Sequence, residues 1–190
     1  MKIVFATNNA HKLAEVAAVL GEGFELVTLR EVGITEDIPE TGATLEENAR
    51  QKARYVYECT GLDCFADDTG LEVEALGGAP GVRSARYATD GHDFAANNRK
   101  LLAKLEGVAN RRARFRTVIS LIRGGVEQQV EGIVEGVIAH AEAGCGGFGY
   151  DPLFIPEGHN VTFAEMSAEA KNAISHRGRA VAALVALLDR

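Results

Sequence analysis

The sequence predicts a mixed α/β (α+β) fold, in which helices flank a mixed sheet with a long central hairpin. Strand and helix patterns alternate over the first half of the chain, and two long alternating segments follow them. The 190 residues contain no repeat and only 4 prolines, so no linker is indicated. We therefore expect a single domain over residues 1–190, long enough to bury a substantial core.

The N-terminal part predicts two strands around a helix. KIVFA (Lys2–Ala6) is typical of a short buried strand, and Phe24–Leu29 predicts a second one. Between them, residues 9–20 show helical spacing of apolar residues. The predicted buried stripe of this helix consists of Leu13, Val16, Ala17 and Leu20.

A second helix is predicted for Thr44–Glu58. Thr44 and Glu47 have the spacing of a capping box, in which each side chain binds the backbone N–H of the other residue. The apolar face that follows comprises Leu45, Ala49, Ala53 and Val56.

The middle of the chain predicts a strand that runs into Asp67. Another strand or a hairpin is expected around Leu71–Leu76, and a helix over Phe94–Leu105.

Two alternating segments predict the central hairpin. Arg112–Ile122 and Gln129–Ala139 both alternate apolar and polar residues, and Gly124-Gly125 lies between them. The chain ends in a predicted helix over Arg177–Leu188, with Ser175 as its N-cap.

Composition limits the classes of function. The net charge of −7 and the pI near 5.3 argue against binding of a nucleic-acid polymer. No apolar run approaches the roughly 20 residues that cross a bilayer, so no membrane partner is expected. The apolar core of MKIVFATNN is too short for a signal peptide, and a cytoplasmic location is therefore the default. The three cysteines indicate neither a disulfide framework nor a zinc site.

The most informative stretch is FADDTGLEVEALGGAPGVRSARYA, at residues 65–88. It carries two adjacent carboxylates, Asp67 and Asp68, followed by the hydroxyl of Thr69. Successive residues of a strand point to opposite faces, so only one aspartate can face a given cleft unless the strand ends between them. This grouping suits a hard cation and the phosphate oxygens bound to it. A solvated turn is the plain alternative.

TNNAHK (residues 7–12) joins the first strand to the first helix. Unpaired N–H groups and the helix dipole make such a junction an anion site, to which Thr7, Asn8 and Asn9 add donors and Lys12 a cation. The glycines of a Walker A loop are absent. Ordinary capping by asparagine, with a solvent-facing lysine, is the alternative.

PETGATLEENARQKA (residues 39–53) places Glu40 in a turn ahead of the capped helix. Asn48 and Lys52 lie four residues apart on one helix face. Glu40 is a candidate second metal ligand, and Lys52 a candidate partner for a phosphate or a carboxylate. The alternative is an ordinary charged surface helix.

CGGFGYDPLFIP (residues 145–156) offers a flat aromatic surface beside a carboxylate. Phe148, Gly149, Tyr150 and Asp151 form its centre, and an aromatic ring there could stack on a base. A tight turn whose aromatic rings fill the core is the alternative.

EAKNAISHRGRA (residues 169–180) places Lys171, His176 and Arg177 around the start of the last helix. A cation in the first turn opposes the helix dipole, whereas an anion or base acceptor held there would compensate it. A buried structural histidine is the alternative for His176.

In this order, and from KIVFATNNAHK to SHRGRA, the motifs resemble those of the inosine triphosphate pyrophosphatase family. The resemblance implies hydrolysis of the non-standard purine triphosphates ITP, dITP and XTP. Water attacks the α-phosphorus in an Mg²⁺-dependent reaction that yields the monophosphate and pyrophosphate and cleanses the nucleotide pool. It also implies a ligand cleft between two lobes and a homodimer.

The resemblance assigns roles to individual residues. Asp68 matches the catalytic aspartate and a metal ligand, Asp67 its acidic neighbour, and Glu40 a further Mg²⁺ ligand. The implied substrate-binding residues are Thr7, Asn8, Asn9, Lys12, Lys52, Thr69, Phe148, Gly149, Tyr150, Asp151, Lys171, His176 and Arg177. The triphosphate loop departs mildly, because Asn9-Ala10-His11 stands where a glycine is common.

Two other functions compete with this one. The first is a broader nucleotide phosphohydrolase that acts on pyrimidine or modified bases. The second is a nucleotide-binding module without turnover. The three carboxylates Glu40, Asp67 and Asp68 argue against the second, since binding a polyanion does not require them.

Overall fold

A computed structural model describes residues 1–189 of the chain. Over these residues the chain forms six strands and five α-helices. In chain order they are β1 (Lys2–Phe5), α1 (Ala10–Leu20), β2 (Glu25–Thr28), α2 (Leu45–Thr60), β3 (Cys64–Val73), α3 (Phe94–Lys104), β4 (Arg112–Arg123), β5 (Val126–Ile138), β6 (Phe154–Pro156), α4 (Ala168–Ile174) and α5 (His176–Leu188).

The strands form one mixed sheet in the order β2-β1-β3-β4-β5-β6. β1 is parallel to β2 and to β3, with Lys2 opposite Glu25 and Val4 opposite Cys64. β6 is antiparallel to β5. The predicted α/β fold with a mixed sheet is confirmed.

The central hairpin is also as predicted. β4 and β5 are neighbours in the sheet, and Gly124 and Gly125 alone separate them in sequence. Both glycines have positive φ, 56° and 79°, which a two-residue turn of the I′ type requires. This requirement explains the glycine pair.

The chain divides into two compact units, each with its own core. The first comprises residues 1–68, 117–132 and the segment from His176 onward. In its core, Phe5 of β1 stacks on Phe65 of β3 with ring centroids 4.6 Å apart, and buried residues of α1 and α5 belong to the same cluster. The second unit comprises Thr69–Arg116 and Ile133–Ser175. Phe115, Phe154 and Phe163 are central to its core. The expectation of a single domain stays a prediction.

Several element predictions need correction. β3 does not end at Asp67 but continues to Val73, because Leu71 and Val73 are buried in the core of the second unit. Of the strand or hairpin expected around Leu71–Leu76, residues 71–73 are strand, as the end of β3, and Glu74–Leu76 forms a short 3₁₀ segment. Ala17, which was expected in the buried stripe of α1, is exposed.

Two short elements have no counterpart among the predictions. α4 has seven residues and β6 has three, and neither is long enough to show a periodic apolar pattern. Ser175 lies between α4 and α5, directly before the first residue of α5. Within residues 1–189, no helix is both long enough and apolar enough to cross a membrane.

The structure predicts unequal reactivity of the three thiols. Cys64 is buried, donates to the carbonyl oxygen of Ala53 at 3.3 Å, and has a pKa that burial raises to about 12. Cys59 and Cys145 are exposed. Because the thiolate is the reactive form, a disulfide reagent at about pH 8 should label Cys59 and Cys145 in the native protein and all three thiols after denaturation. Rapid labelling of Cys64 in the native protein, located by peptide mass spectrometry, would contradict this core.

Candidate active site

Asp67 and Asp68 lie in the middle of β3, and both are buried, with 1% and 8% of their surface exposed. Because neighbouring residues of a strand face opposite sides, the two carboxylates meet different partners. Asp67 contacts Lys12 and Arg177, whereas Asp68 lies beside Lys52. The strand thus separates two charged groups that are adjacent in sequence.

Asp67 is the centre of a buried ion-pair cluster in the first unit. Lys12 of α1 lies 3.0 Å from its Oδ1, and Nε of Arg177, in the first turn of α5, lies 3.4 Å from its Oδ2. Arg177 also donates through Nη1 to Glu15 of α1. Burial alone would raise the pKa of Asp67, but Lys12, Arg177 and Lys52 outweigh it and hold that pKa well below its usual range. Asp67 is therefore an ionised counter-ion.

Lys12 reaches Asp67 from a capped helix end. The side chain of Asn9 accepts the backbone N–H of Lys12 at 3.1 Å, and Oγ1 of Thr7 accepts the N–H of Asn9 at 3.1 Å. Asn9 is thus an N-cap, as the plain alternative proposed. Asn8 and His11 are exposed beside it. Burial lowers the pKa of Lys12, and the charge of Asp67 partly offsets that effect.

Lys52 links Glu40 to Asp68. Its Nζ lies 2.6 Å from Oε1 of Glu40 and 3.7 Å from Oδ1 of Asp68, and it donates to the backbone carbonyl of Asp67 at 2.5 Å. Burial would lower the pKa of this lysine, but Asp68, Glu40 and Asp67 outweigh that effect and raise it. The structure thus brings together the two carboxylates that were predicted to share a cation.

The residues around Lys52 fit a magnesium ion. Within residues 1–189, the buried Oδ2 of Asp68 has no hydrogen-bond partner. Burial raises the pKa of Asp68, with Lys52 acting in the opposite direction. The side chain of Glu40 is 38% exposed and open to water. The described residues contain no group of three or more His, Cys, Asp or Glu that could hold a metal. Two carboxylates suffice for Mg²⁺, which retains several waters and binds substrate phosphates.

A second group of predicted residues lies in the second unit. Lys171 and Asp151, both buried, pair at 2.6 Å, and the same Oδ2 of Asp151 accepts the backbone N–H of Phe148 at 3.0 Å. The Lys171 ammonium lies 5.2 Å from the centroid of the Phe148 ring. Gly147 has φ of 65°, and a Cβ there would collide with the Asp151 carboxylate. A glycine is therefore required at residue 147, because any side chain there would collide with Asp151.

The remaining predicted residues differ in their surroundings. Tyr150 belongs to the core of the second unit, where its hydroxyl donates to the carbonyl of Ser84 at 2.6 Å and burial raises its pKa. Its ring therefore fills the core, as the plain alternative proposed. His176 is buried at the first residue of α5. Thr69 follows Asp68 on β3 and is half-buried.

Two residues of this site were missed by sequence reasoning. Glu15 lies three residues after Lys12 on α1, a spacing that places both on one helix face and could have indicated its role. Gly132 of β5 approaches α5 so closely that a Cβ would collide with the backbone of His176 and Ala180. No local pattern marks that contact, because it joins segments distant in sequence.

The match to a protein-family sequence model shows which family the chain belongs to. The sequence model of the Ham1 family matches residues 3–187. The chain belongs to the Ham1 family. A relative named dITP/XTP pyrophosphatase, from Porphyromonas gingivalis, is 57% identical over 184 residues, which are 96% of this chain and 95% of that protein. One of the same name from Flavobacterium johnsoniae is 50% identical and covers 99% of this chain and 98% of its own length.

Solved Ham1 structures agree with the fold. The Ham1 protein of Staphylococcus aureus superposes with a TM-score of 0.90 at 39% identity, covering 100% of this chain and 98% of that one. The HAM1 protein of Coxiella burnetii gives a TM-score of 0.91 at 40% identity, with the same two coverages. The family resemblance seen in the motifs is confirmed.

The ion pairs of Asp67 predict that Asp67→Asn is less stable than the wild type at neutral pH, and that this difference decreases in acid. The folded pKa of Asp67 lies below its unfolded value of about 3.9, so its stabilisation is full above that value and is lost as pH falls toward the folded pKa. At neutral pH, Asp67→Asn should lower the free energy of unfolding by about 3–5 kcal/mol, because it leaves buried cations uncompensated. Urea unfolding in chelator should show this difference and its decrease in acid. Equal stability of the variant and the wild type at neutral pH would contradict it.

Proposed function

We propose that this chain is a nucleoside triphosphate pyrophosphohydrolase. It hydrolyses the non-standard purine triphosphates ITP, dITP and XTP to the monophosphate and pyrophosphate, and so cleanses the nucleotide pool. The observation that carries this proposal is the pair Asp67–Asp68, with one carboxylate neutralised by cations and the other left with an unpartnered oxygen. The relatives named dITP/XTP pyrophosphatase support the substrate class.

The first unit supplies groups for the phosphates and the metal. Asp68 and Glu40 would hold Mg²⁺, and Lys52, which now lies beside both carboxylates, would then be released toward phosphate oxygens. When bound, Mg²⁺ lowers the pKa of a coordinated water and neutralises charge on the phosphates. Lys12 and the amide groups at the start of α1, with Thr7, Asn8 and Asn9, bind the triphosphate.

Water attacks the α-phosphorus, and Asp68 accepts the proton that the water loses. Its raised pKa and unpartnered Oδ2 make it the better proton acceptor of the pair. Asp67 is a poor base, because its pKa is low and its oxygens are bonded to Lys12 and Arg177. Asp67 instead positions these two cations. The lysines offset the charge that develops on the pyrophosphate.

Base recognition is assigned to Phe148, Gly149, Asp151, Lys171, His176 and Arg177, as the family resemblance implies, whereas the ring of Tyr150, which it also includes, lies in the core. A 6-oxo purine offers the acceptors O6 and N7, which an arginine such as Arg177 can meet with two donors. Adenine carries an amino donor in place of O6 and would be rejected. The Phe148 ring offers a surface on which a base can stack. The ammonium of Lys171 lies 5.2 Å from the centroid of this ring. A cytoplasmic location, a homodimer and the choice of Mg²⁺ stay predictions.

The reaction products test this function. Incubation with ITP and Mg²⁺ should yield IMP and pyrophosphate, resolved by chromatography or phosphorus NMR. Release of IDP and single phosphate would contradict the proposal, and so would tight ITP binding without any product. Values of kcat/KM for ITP, XTP, GTP, ATP and dUTP should favour ITP and XTP. Preference for dUTP would indicate a phosphohydrolase of different base specificity.

Asp68→Asn should abolish most turnover while the protein stays folded. Removing the proton acceptor and one ligand oxygen should lower kcat by a factor of about 10² or more. Asp37→Asn is the matched control, because it makes the same change at an exposed aspartate. Near-normal turnover in Asp68→Asn would place the base elsewhere.

A further inference from the structure

The segment that carries Glu40 is bound to α2 by an array of side-chain acceptors. Three consecutive backbone N–H groups each donate to a different side chain of the helix. Thr41 donates to Oε1 of Gln51 at 2.9 Å, Gly42 to Oδ1 of Asn48 at 2.8 Å, and Ala43 to Oε2 of Glu47 at 2.6 Å. The predicted capping box is thereby modified. Thr44 accepts the N–H of Glu47 as expected, but Glu47 reaches the residue before the cap.

Asn48 is the central member of this array. It is 4% exposed, and it lies on the same buried face of α2 as Lys52, one turn away. Gly42 lies so close that a Cβ on it would be 2.6 Å from Cβ of Glu47 and 2.8 Å from Oδ1 of Asn48. The glycine is thus required for the backbone to reach the amide oxygen. This close approach fixes the path of the chain directly after Glu40.

Glu40 depends on that path for its position. Its side chain is 38% exposed, and Lys52 is the partner that holds it at 2.6 Å. Thr41 and Gly42, the next two residues, are the ones bound by Gln51 and Asn48. The same helix therefore supplies Lys52 and fixes the backbone that delivers Glu40.

On the basis of the function proposed above, we propose that Asn48 is a positioning residue for Glu40, and that Gln51 assists it. Residues that orient a metal ligand through a hydrogen bond typically change metal affinity when they are removed. Asn48 makes this contact through the backbone of the adjoining turn. If Asn48 had only a structural role at the start of α2, its replacement would change the stability of the protein and not its metal affinity.

Asn48→Leu tests this role, because leucine retains the bulk of asparagine and removes the acceptor. The first readout is the Mg²⁺ concentration that gives half-maximal ITP hydrolysis. The second is calorimetric binding of a non-hydrolysable α,β-imido analogue of ITP, with Mg²⁺ and with chelator. Gln129→Leu is the matched control, because it removes one hydrogen bond to the same helix, from Nε2 of Gln129 to the carbonyl of Glu46 at 2.9 Å.

Asn48→Leu should raise the half-maximal Mg²⁺ concentration about tenfold or more and weaken Mg²⁺-dependent analogue binding to a similar extent. Binding in chelator and kcat at saturating Mg²⁺ should change little. Gln129→Leu should alter the melting temperature but not the metal dependence. If both variants shift only the melting temperature, Asn48 is merely structural and the proposal is wrong.

A second pair of variants keeps the test decisive if Asn48→Leu does not fold. Gln51→Leu removes the acceptor for Thr41, whereas Gln51→Glu retains it. The leucine variant should weaken Mg²⁺-dependent analogue binding, and the glutamate variant should restore it. Equal metal dependence in both would overturn the proposal. If the wild type itself forms no pyrophosphate from ITP, the proposed function fails instead, and that result is separate.

Discussion

The alternation of side chains along β3 is the constraint on which the site depends. Asp67 and Asp68 are adjacent, so a strand must send their carboxylates to opposite faces. One carboxylate meets Lys12 and Arg177 and is fully paired, and the other retains a buried oxygen without a hydrogen-bond partner among the residues described. The same two neighbours therefore acquire pKa values shifted in opposite directions. Their different chemistry follows from the geometry of the backbone.

The burial of so much charge argues for function rather than stability. Buried ion pairs contribute little net stability, since the loss of hydration offsets their attraction. Lys52 and Arg177 are nevertheless buried, and Lys12 is only 15% exposed, beside the carboxylates of Glu15, Glu40, Asp67 and Asp68. Strongly perturbed pKa values in one cluster are typical of functional sites. A bound triphosphate would offer phosphate oxygens to the cations, and its metal ion would bind the carboxylates.

Local rules predicted much of the fold, because its strongest signals are local. The cap at Thr44, the glycine pair at residues 124–125 and the alternation of the long strands all follow from backbone chemistry within a few residues. The continuation of β3 to Val73 could not be seen locally, since a strand and a turn are both compatible with DDTG. The core of the second unit decides between them by burying Leu71 and Val73.

The site was predictable in its residue types but not in its pairings. The motifs, with the family resemblance, indicated a cation bound by Asp68 and Glu40 and anion-binding lysines, and Lys52 does lie between those carboxylates. The contacts of Arg177 with Glu15 and Asp67 join residues more than a hundred positions apart, so no local pattern could show them. The sequence indicated Tyr150 as part of a stacking surface for a base, but its ring packs in the core of the second unit.

Diffraction can show directly which of Asp67 and Asp68 binds the metal ion. Crystals soaked with Mn²⁺ and a non-hydrolysable ITP analogue would locate the ion by its anomalous signal, since Mn²⁺ accepts the oxygen ligands of Mg²⁺. The account predicts an ion about 2.1 Å from an oxygen of Asp68, directly or through water from Glu40, with Asp67 still paired to Lys12 and Arg177. An ion bound to Asp67, with Asp68 uninvolved, would contradict it.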